Sequence, residues 1–206
     1  MKIGPQYKIA RRLGERVFPK TQTTKFTVSG TEKKAKQGGK HGRKTLTAYG
    51  AQLLEKQKAR YTYRVSEKQF SNYVKKVQAK KGTSHVADLF KALESRLDNV
   101  VFRLGLVGSR SFARQAVSHG HIMVNGRRVT IPSCAIRVGD KIAIRQQSKD
   151  NGAFRNLAEK LQTYTAPTWL SYDIGSNEGV IKTEPTLGVG ESNLNFNSIL
   201  EFYSRV

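Results

Sequence analysis

The apolar residues of this chain change their spacing within the segment 86–144, and this change limits the fold more than any other feature of the sequence. Through residues 86–104 and again through 112–117 they recur at the intervals expected of one helix face. After residue 120 they alternate with polar residues, and Asn125-Gly126 separates two strand-like runs. Asn-Gly favours a tight hairpin because both turn residues tolerate positive φ. The segment therefore predicts two helices followed by a small antiparallel sheet, in a chain of the α+β class.

Short polar residues and glycines mark the ends of these predicted helices. The pattern through 86–104 is long for a single helix, and Ser95 marks a candidate break within it, while Gly105 follows its end. Ser109 or Ser111 is placed to cap the second helix, and Gly120 follows that helix.

Patterns on either side of this segment are also informative. Residues 47–62 have helical spacing, and Ser66 opens a capping box before a second amphipathic helix that Gly82 is expected to end. After residue 130 a strand pair is predicted around the Gly139-Asp140 turn, with Ile136 and Val138 before it and Ile142 and Ile144 after it. A helix is predicted at 154–161, begun by Asp150 or Asn151. A strand at 179–183, in the Pro- and Gly-rich stretch 166–190, and an apolar helix at 196–203 complete the predicted elements. A terminal helix this apolar must dock, and we place it on the helical front half. The segment 19–45 lacks apolar periodicity, so it is expected to be extended or disordered without a partner.

The net charge of +22 on 206 residues is distributed unevenly. Residues 1–80 carry a net charge of +17, residues 81–150 carry +7 and residues 151–206 carry −2. Nucleic acid is the polyanion best suited to neutralise such a basic surface. We therefore expect the front of the chain to contact nucleic acid and the acidic end to face protein or solvent.

Several functional classes are not supported by the sequence. No apolar run approaches the roughly 18 residues of a membrane span, and the first residues lack the apolar stretch of a secretory signal, so export is not expected. The single cysteine, Cys134, excludes an internal disulfide or multi-cysteine zinc site and is expected to be a small buried core residue. Of His41, His85, His119 and His121, the last two flank a helix-to-strand corner with no acidic or cysteine residue beside them. No catalytic residue, metal or cofactor is predicted.

Basic, aromatic and amide side chains recur at helical spacing through 47–80, and only Glu55 and Glu67 interrupt the basic run after residue 50. Lys and Arg supply phosphate contacts, whereas Gln and Tyr supply hydrogen bonds and stacking on unpaired bases. The alternative interpretation is a solvated charged helix face. The predicted RNA-binding residues here are Tyr49, Gln52, Lys56, Gln57, Lys58, Arg60, Tyr63, Arg64, Lys68, Gln69, Tyr73 and Lys76, joined by Arg11, Arg12, Lys40, His41, Arg43 and Lys44 of the N-terminal segment.

A second basic cluster belongs to the segment of helices and hairpin. Its predicted RNA-binding residues are Arg96 and Arg103 on the polar side of the first helix, Ser109, Arg110 and Arg114 on the second, and His119, His121, Asn125, Arg127 and Arg128 near the hairpin. The amides at the start of the second helix, together with its arginines, favour a phosphate. Such an arrangement suits folded RNA that is recognised by shape.

The same residues resemble a known family. RLDNVVFRLG at 96–105 and SRSFARQAVSHGHIMVNGRRVTIPS at 109–133 resemble the S4 RNA-binding domain, also called the alpha-L motif. The flanking stretches resemble the bacterial-type small-subunit ribosomal protein S4 family: KHGRK at 40–44, YGAQLLEKQKARYTY at 49–63, SEKQFSNYV at 66–74, PTWL at 167–170 and LEFYSR at 200–205.

This resemblance implies a helical domain interrupted by an inserted S4 module. The implied divisions are a flexible basic N-terminal arm at 1–46, a helical rRNA-binding domain at 47–92 completed by 191–206, and the S4 module with its following helix and Pro/Gly-rich extension at 93–190. The implied function is that of a non-enzymatic structural constituent of the small ribosomal subunit in the cytoplasm. Such a protein binds a junction in the 5′ domain of 16S rRNA and nucleates assembly of that domain.

The resemblance implies partners as well. They are ribosomal protein S5, at an interface linked to decoding accuracy, and protein S3, which with S5 lines the entry channel of messenger RNA. Some relatives bind zinc through four cysteines of the arm, which this chain lacks. Two alternatives stay open: an S4-domain RNA-modifying enzyme or synthetase fragment, which would need a separate catalytic domain, and a free-standing RNA chaperone or translational repressor.

Overall fold

The computed structural model describes residues 3–27, 47–82, 84–149, 151–152, 154, 157–173, 175–188 and 192–205. The chain divides into two compact units, one formed by residues 1–86 with 192–206 and the other by residues 87–191. The predicted limits differ from this division, because they separate residues 1–46 as an arm and divide the chain after residue 92.

The described residues form eight helices and five strands, which confirms the α+β class. The helices are α1 (Gln6–Leu13), α2 (Ala48–Thr62), α3 (Glu67–Gln78), α4 (His85–Glu94), α5 (Leu97–Arg103), α6 (Arg110–Ser118), α7 (Leu157–Thr163) and α8 (Phe196–Ser204). The strands are β1 (Ile122–Val124), β2 (Arg127–Arg128), β3 (Lys141–Ile144), β4 (Leu170–Asp173) and β5 (Glu178–Ile181). Short 3₁₀ turns lie at Pro19–Thr21 and Gln146–Ser148. None of the described helices is long and apolar enough to span a membrane.

Helices α2 and α3 begin where the sequence predicts. The Thr47 hydroxyl accepts a hydrogen bond from the Gly50 amide at 3.1 Å, and the Ser66 hydroxyl accepts one from the Gln69 amide at 3.3 Å. Each contact satisfies an amide that the first helical turn leaves without a partner. The predicted end of the second helix at Gly82 is wrong, since α3 ends a turn earlier at Gln78.

Helix α8 returns to the first unit and packs on α2 and α3. Its apolar side buries Phe196, Ile199 and Phe202. The Phe202 ring lies 5.4 Å from that of Tyr49 on α2, and the Tyr203 ring lies 6.1 Å from that of Phe70 on α3. The predicted docking of the C-terminal helix on the helical front half is confirmed.

The start of the chain is more ordered than the sequence predicts. Phe18 and Phe26 are 0% and 4% exposed and pack with Ala10 of α1, against the partly buried Tyr61 of α2. The expectation of an extended or disordered segment is therefore wrong for residues 19–27, whereas residues 28–46 lie outside the described residues. The cluster joins aromatic rings from distant positions, so no local periodicity reveals it.

In the second unit the predicted helix ends are confirmed. The chain breaks between α4 and α5 next to Ser95, and the Ser109 hydroxyl caps α6 by accepting from the Phe112 amide at 3.2 Å. Gly105 has a φ of 77°. A Cβ there would lie 2.5 Å from the ring of Tyr164, so this helix end needs glycine for both its conformation and its space.

The strands form one antiparallel sheet in the order β2-β1-β3-β5-β4. Asn125 and Gly126 have φ angles of 49° and 76°, which confirms the predicted hairpin between β1 and β2. The predicted turn at Gly139, with a φ of 89°, and the strand through Ile142 and Ile144 are confirmed, but the predicted pairing of that strand with 136–138 is wrong. Strand β3 pairs instead with β1 and β5, and Ile136 lies outside the strands. Strand β5 confirms the predicted strand at 179–183.

Helices α5 and α6 and the sheet share one core. The buried side chains of this core include Leu97, Val101, Leu104, Ala113, Val117, Ile122, Ile142, Trp169, Leu170 and Ile181. Leu104 packs so closely on β5 that a Cβ at Gly179 would lie 2.6 Å from its Cδ1 atom. Helix α7 starts at Leu157, later than the predicted Asp150 or Asn151. The core leaves the start of α6 and the β1–β2 hairpin at the surface.

Candidate nucleic-acid interface

The lysine and arginine side chains of α2 are used largely inside the first unit. Lys56 Nζ lies 2.8 Å from Glu67 Oε1, and Arg60 Nη1 lies 2.6 Å from Glu67 Oε2. The Tyr203 hydroxyl of α8 donates to Glu67 Oε1 at 2.8 Å. One carboxylate therefore joins α2, α3 and α8, and only 8% of the Lys56 side chain is exposed.

Further contacts reinforce this internal arrangement. The Lys56 ammonium lies 4.5 Å from the centroid of the Phe202 ring, which is within the range of a cation–π interaction. The buried Gln52 amide donates to Glu201 Oε2 at 2.8 Å, and Lys58 Nζ lies 2.6 Å from Glu55 Oε1. Gln52 and Lys56 thus stabilise helix packing, as does Tyr63, which is 3% exposed, whereas the Lys58–Glu55 pair lies within α2.

The electrostatics of Glu67 follow from these contacts. Partial burial raises the pKa of its carboxyl, but hydrogen bonds from Lys56, Tyr203 and Arg60 outweigh that effect and lower the pKa below its ordinary value. Burial, followed by the hydrogen bond to Glu67, raises the pKa of Tyr203. At neutral pH Glu67 is ionised and Tyr203 keeps the proton that it donates.

Helix α3 presents its basic residues to solvent. Its apolar side buries Phe70, Val74 and Val77. The exposed lysines of α3 and the turn after it are Lys68, Lys75, Lys76, Lys80 and Lys81. Lys68 and Lys76 belong to the predicted set; the other three do not, although the positions of Lys75 and Lys80 off the apolar stripe already indicated exposure. Gln69 and Tyr73 are partly buried.

The remaining predicted residues of the first unit have mixed positions. Arg11 and Arg12 are exposed on α1, and the Arg11 guanidinium lies 5.6 Å from the Phe26 ring centroid. Tyr49 is 51% exposed. Gln57 and Arg64 are partly exposed. Lys40, His41, Arg43 and Lys44 lie outside the described residues.

In the second unit, Arg96 is a core residue. It is 1% exposed and binds Asp98 with two hydrogen bonds, Nε to Oδ1 at 3.0 Å and Nη2 to Oδ2 at 2.6 Å. The prediction that Arg96 lies on the polar side of a helix is wrong, because the residue sits in the break before α5 and pairs across to Ala135.

A chain of hydrogen bonds leads from the core to the start of α6. The fully buried Glu94 accepts from Arg103 Nε at 2.9 Å, from Arg103 Nη2 at 2.8 Å and from Asn99 Nδ2 at 2.7 Å. Arg110 Nε donates to Asn99 Oδ1 at 2.7 Å, and its guanidinium lies 4.5 Å from the centroid of the Phe102 ring. Arg103 is therefore largely structural, whereas Arg110 is held in one orientation beside the capped start of α6. Arg114 follows one turn later and is partly exposed.

The hairpin carries two exposed arginines, Arg127 and Arg128. Arg128 Nη2 donates to the His119 carbonyl at 3.3 Å, and its guanidinium passes so close to Gly120 that a Cβ there would lie 2.0 Å from Arg128 Nε. His119 is exposed beside this contact. The hairpin and the end of α6 therefore form one basic corner.

Two other predicted residues of this corner have internal partners. His121 Nδ1 lies 2.9 Å from Ser148 Oγ. Asn125 donates to Asp140 Oδ1 at 2.8 Å and accepts from the Lys141 amide at 2.9 Å, so it stabilises the turn. The described residues contain no group of three or more His, Cys, Asp or Glu arranged to hold a metal ion. Cys134 is partly exposed, which corrects the prediction of a buried cysteine.

Comparison with known proteins identifies the family to which the chain is similar. Residues 1–94 match the model described as ribosomal protein S4/S9 N-terminal domain, and residues 95–142 match the S4 domain. The small ribosomal subunit protein uS4 of Herpetosiphon aurantiacus is 42% identical over 207 residues, and that of Roseiflexus castenholzii is 44% identical over 209 residues. The uS4 protein of Heliobacterium modesticaldum is 38% identical over 204 residues. Each alignment covers 98% of this chain and 98% of the relative.

Proposed function

This chain belongs to the uS4 family of small ribosomal subunit proteins, and from that premise we propose that it binds 16S ribosomal RNA as a structural, non-enzymatic component of the small subunit. The observation that carries the proposal is the row of exposed lysines on and after α3. These cations lie opposite a buried apolar stripe, so the helix is anchored on one side and presents charge on the other. Exposed lysines on a helix that is packed on its other side suit phosphate contacts that do not depend on sequence.

Two basic regions of the second unit provide a second kind of contact. Arg110 is oriented by Asn99 and Phe102 beside the start of α6, and the positive end of a helix together with an arginine favours a phosphate. Arg127 and Arg128 belong to the basic corner, which the hairpin forms with the end of α6. Exposed cations held on folded elements favour RNA of defined shape, and we place the target at a multi-helix junction of the 5′ domain, whose assembly the protein nucleates.

Protein and messenger RNA contacts complete the proposal. Family membership supports contacts with the neighbouring proteins S5 and S3. It also supports a position at the messenger RNA entry channel and a contribution to decoding accuracy. The net charge of −2 on residues 151–206 supports a protein-facing end, and exposed acidic residues such as Asp173 and Glu184 lie within it. RNA would be repelled from such a surface, whereas a basic ribosomal protein would not.

Filter binding of the full chain to a 5′-domain fragment of 16S rRNA, across a salt series, tests the RNA contact. We expect the logarithm of the binding constant to fall steeply and linearly with the logarithm of salt concentration, because each phosphate contact releases counterions. An unrelated RNA of equal length should bind more weakly throughout. A flat salt dependence, or equal affinity for both RNAs, contradicts the proposal.

Co-sedimentation separates a ribosomal component from a free-standing RNA chaperone. A component should stay with small subunits at close to one copy in high salt. Release of the protein under those conditions favours the chaperone instead.

A further inference from the structure

The sequence contains two Asn-Gly pairs, Asn125-Gly126 and Asn151-Gly152, and all four residues are exposed to water. Asparagine is chemically labile, and a following glycine has no side chain to shield its backbone nitrogen. That nitrogen can attack Cγ of the asparagine, so that an N–Cγ bond forms, the Cγ–Nδ2 bond breaks, and the amide group leaves with the glycine amide proton as ammonia. Water then opens the succinimide ring at either carbonyl, which gives aspartate or isoaspartate.

The fold holds the first asparagine by both polar atoms of its side chain. Asn125 Nδ2 donates to Asp140 Oδ1 at 2.8 Å, and Asn125 Oδ1 accepts from the Lys141 amide at 2.9 Å. The Asn125 backbone amide also donates to the Lys141 carbonyl at 2.9 Å. Ring closure requires the side chain to turn towards the nitrogen of Gly126, and that rotation would break its two hydrogen bonds.

The second asparagine is held through its backbone instead. The Asn151 amide donates to the Ser148 carbonyl at 3.2 Å, and the Asn151 carbonyl accepts from the Phe154 amide at 2.8 Å. Within the described parts of the chain, the side-chain amide of Asn151 has no hydrogen-bond partner. A Cβ added at Gly152 would meet no atom within 4 Å, so the backbone beside this side chain has open space. Rotation of the Asn151 side chain towards the glycine nitrogen therefore breaks no such bond.

We propose that Asn151 is a site of spontaneous deamidation, and that the contacts of Asn125 with Asp140 and Lys141 protect Asn125 from the same reaction. The β1–β2 turn, with its left-handed φ angles of 49° and 76°, favours Asn-Gly and so keeps a labile pair at the basic corner. An aspartate at 125 would direct a carboxylate at that of Asp140, two residues before Arg127. At 151 the new charge falls in the segment 151–206, which is already acidic. The proposal does not depend on the proposed function.

The test follows both pairs in the folded full chain, incubated at mildly alkaline pH and well below its unfolding temperature. Mass spectrometry of proteolytic peptides measures the conversion of amide to acid, and a protein isoaspartyl methyltransferase labels isoaspartate. We expect Asn151 to convert several-fold faster than Asn125. In concentrated urea the hydrogen bonds of Asn125 are lost, so the two residues should convert at similar rates.

Asp140→Ala tests the protection, because it removes the acceptor of Asn125 Nδ2. It should raise the rate at Asn125 several-fold and leave the rate at Asn151 unchanged. Asp173→Ala is the matched control, since it removes a carboxylate that accepts from backbone amides in another turn of the same unit, and it should change neither rate. Asp140 also accepts from the Arg137 amide at 2.7 Å, so the unfolding temperature of each variant is measured first.

Gly152→Ala tests the site itself, because it places a methyl group beside the attacking nitrogen without a clash. It should slow conversion at Asn151 alone. Equal rates at the two asparagines in the folded wild type, or no conversion at Asn151, overturn the proposal. An unchanged rate at Asn125 in folded Asp140→Ala overturns the protection, and where that variant unfolds during incubation, the comparison of folded with urea-treated wild type decides it.

Discussion

Helices α2 and α3 are consecutive, similarly basic and in contact with the same terminal helix, yet their cations have opposite surroundings. Lys56 and Arg60 of α2 share the carboxylate of Glu67, whereas Lys75 and Lys76 of α3 are exposed. The difference shows that a basic side chain is held inside the unit when it can pair with a carboxylate and pack on an aromatic ring. Cations beyond that reach form the surface that an anion can approach.

The second unit repeats the contrast. Arg96 and Arg103 bind the buried carboxylates of Asp98 and Glu94. Arg127 and Arg128 on the hairpin are exposed. In both units the internal cations stabilise the framework that positions the exposed ones. Substitution of an internal cation or its partner should therefore lower the stability of the fold, whereas substitution of an exposed cation should weaken RNA binding.

Asp98→Ala should have the largest effect on stability, because it removes the bidentate carboxylate partner of a guanidinium that is 1% exposed. Leaving a buried charge without its counterion costs about 3–5 kcal/mol. Denaturant unfolding would measure the loss. Glu178→Ala is the control, since it breaks the exposed pair with Lys141 and should cost less than about 1 kcal/mol. Equal losses in the two variants would contradict the internal role of Arg96.

Glu67→Gln should reduce stability by about 2 kcal/mol at neutral pH, because three hydrogen bonds lose their ionised acceptor and partial exposure moderates the loss. The folded state lowers the pKa of Glu67, so its contribution is fully present above the ordinary carboxyl pKa and is lost as pH falls through the lowered value. The difference in unfolding free energy between variant and wild type should therefore stay constant above the ordinary carboxyl pKa of about 4.3 and shrink as the pH falls below it. A difference that is independent of pH would show that the charge of Glu67 is not involved.

Tyr203→Phe should cost about 1 kcal/mol, since it removes one donor to Glu67 while keeping the ring contact with Phe70. Equilibrium unfolding should show a lower denaturant midpoint with an unchanged slope. RNA affinity should not change. An unchanged midpoint would mean that α8 docks through its apolar residues alone.

Local signals allowed much of the fold to be predicted. The break at Ser95, the cap at Ser109, the left-handed Gly105 and the Asn125-Gly126 turn each depend on a few neighbouring residues, and all are confirmed. The pairing of β3 with β5 depends on residues far apart in the chain, so the alternating pattern at 136–144 gave the wrong partner.

The candidate site was harder to predict for the same reason. Spacing along α2 identified Gln52, Lys56 and Arg60 as one polar stripe, but their acceptors come from α3 and α8. Arg96 is buried through a carboxylate only two residues away, and the burial itself depends on the surrounding core. Sequence spacing reports which residues share a helix face, whereas tertiary contacts decide which face is covered.

Exposed cations bind RNA while internal cations stabilise the fold, and the salt slope of binding to the 5′-domain fragment tests this division most directly. The double variant Lys75→Gln, Lys76→Gln should reduce the slope by about two and leave the unfolding temperature unchanged. Lys56→Gln, measured well below its unfolding temperature, should keep the wild-type slope and unfold at a lower temperature. A smaller slope for Lys56→Gln, with a wild-type slope for the double variant, would contradict the account.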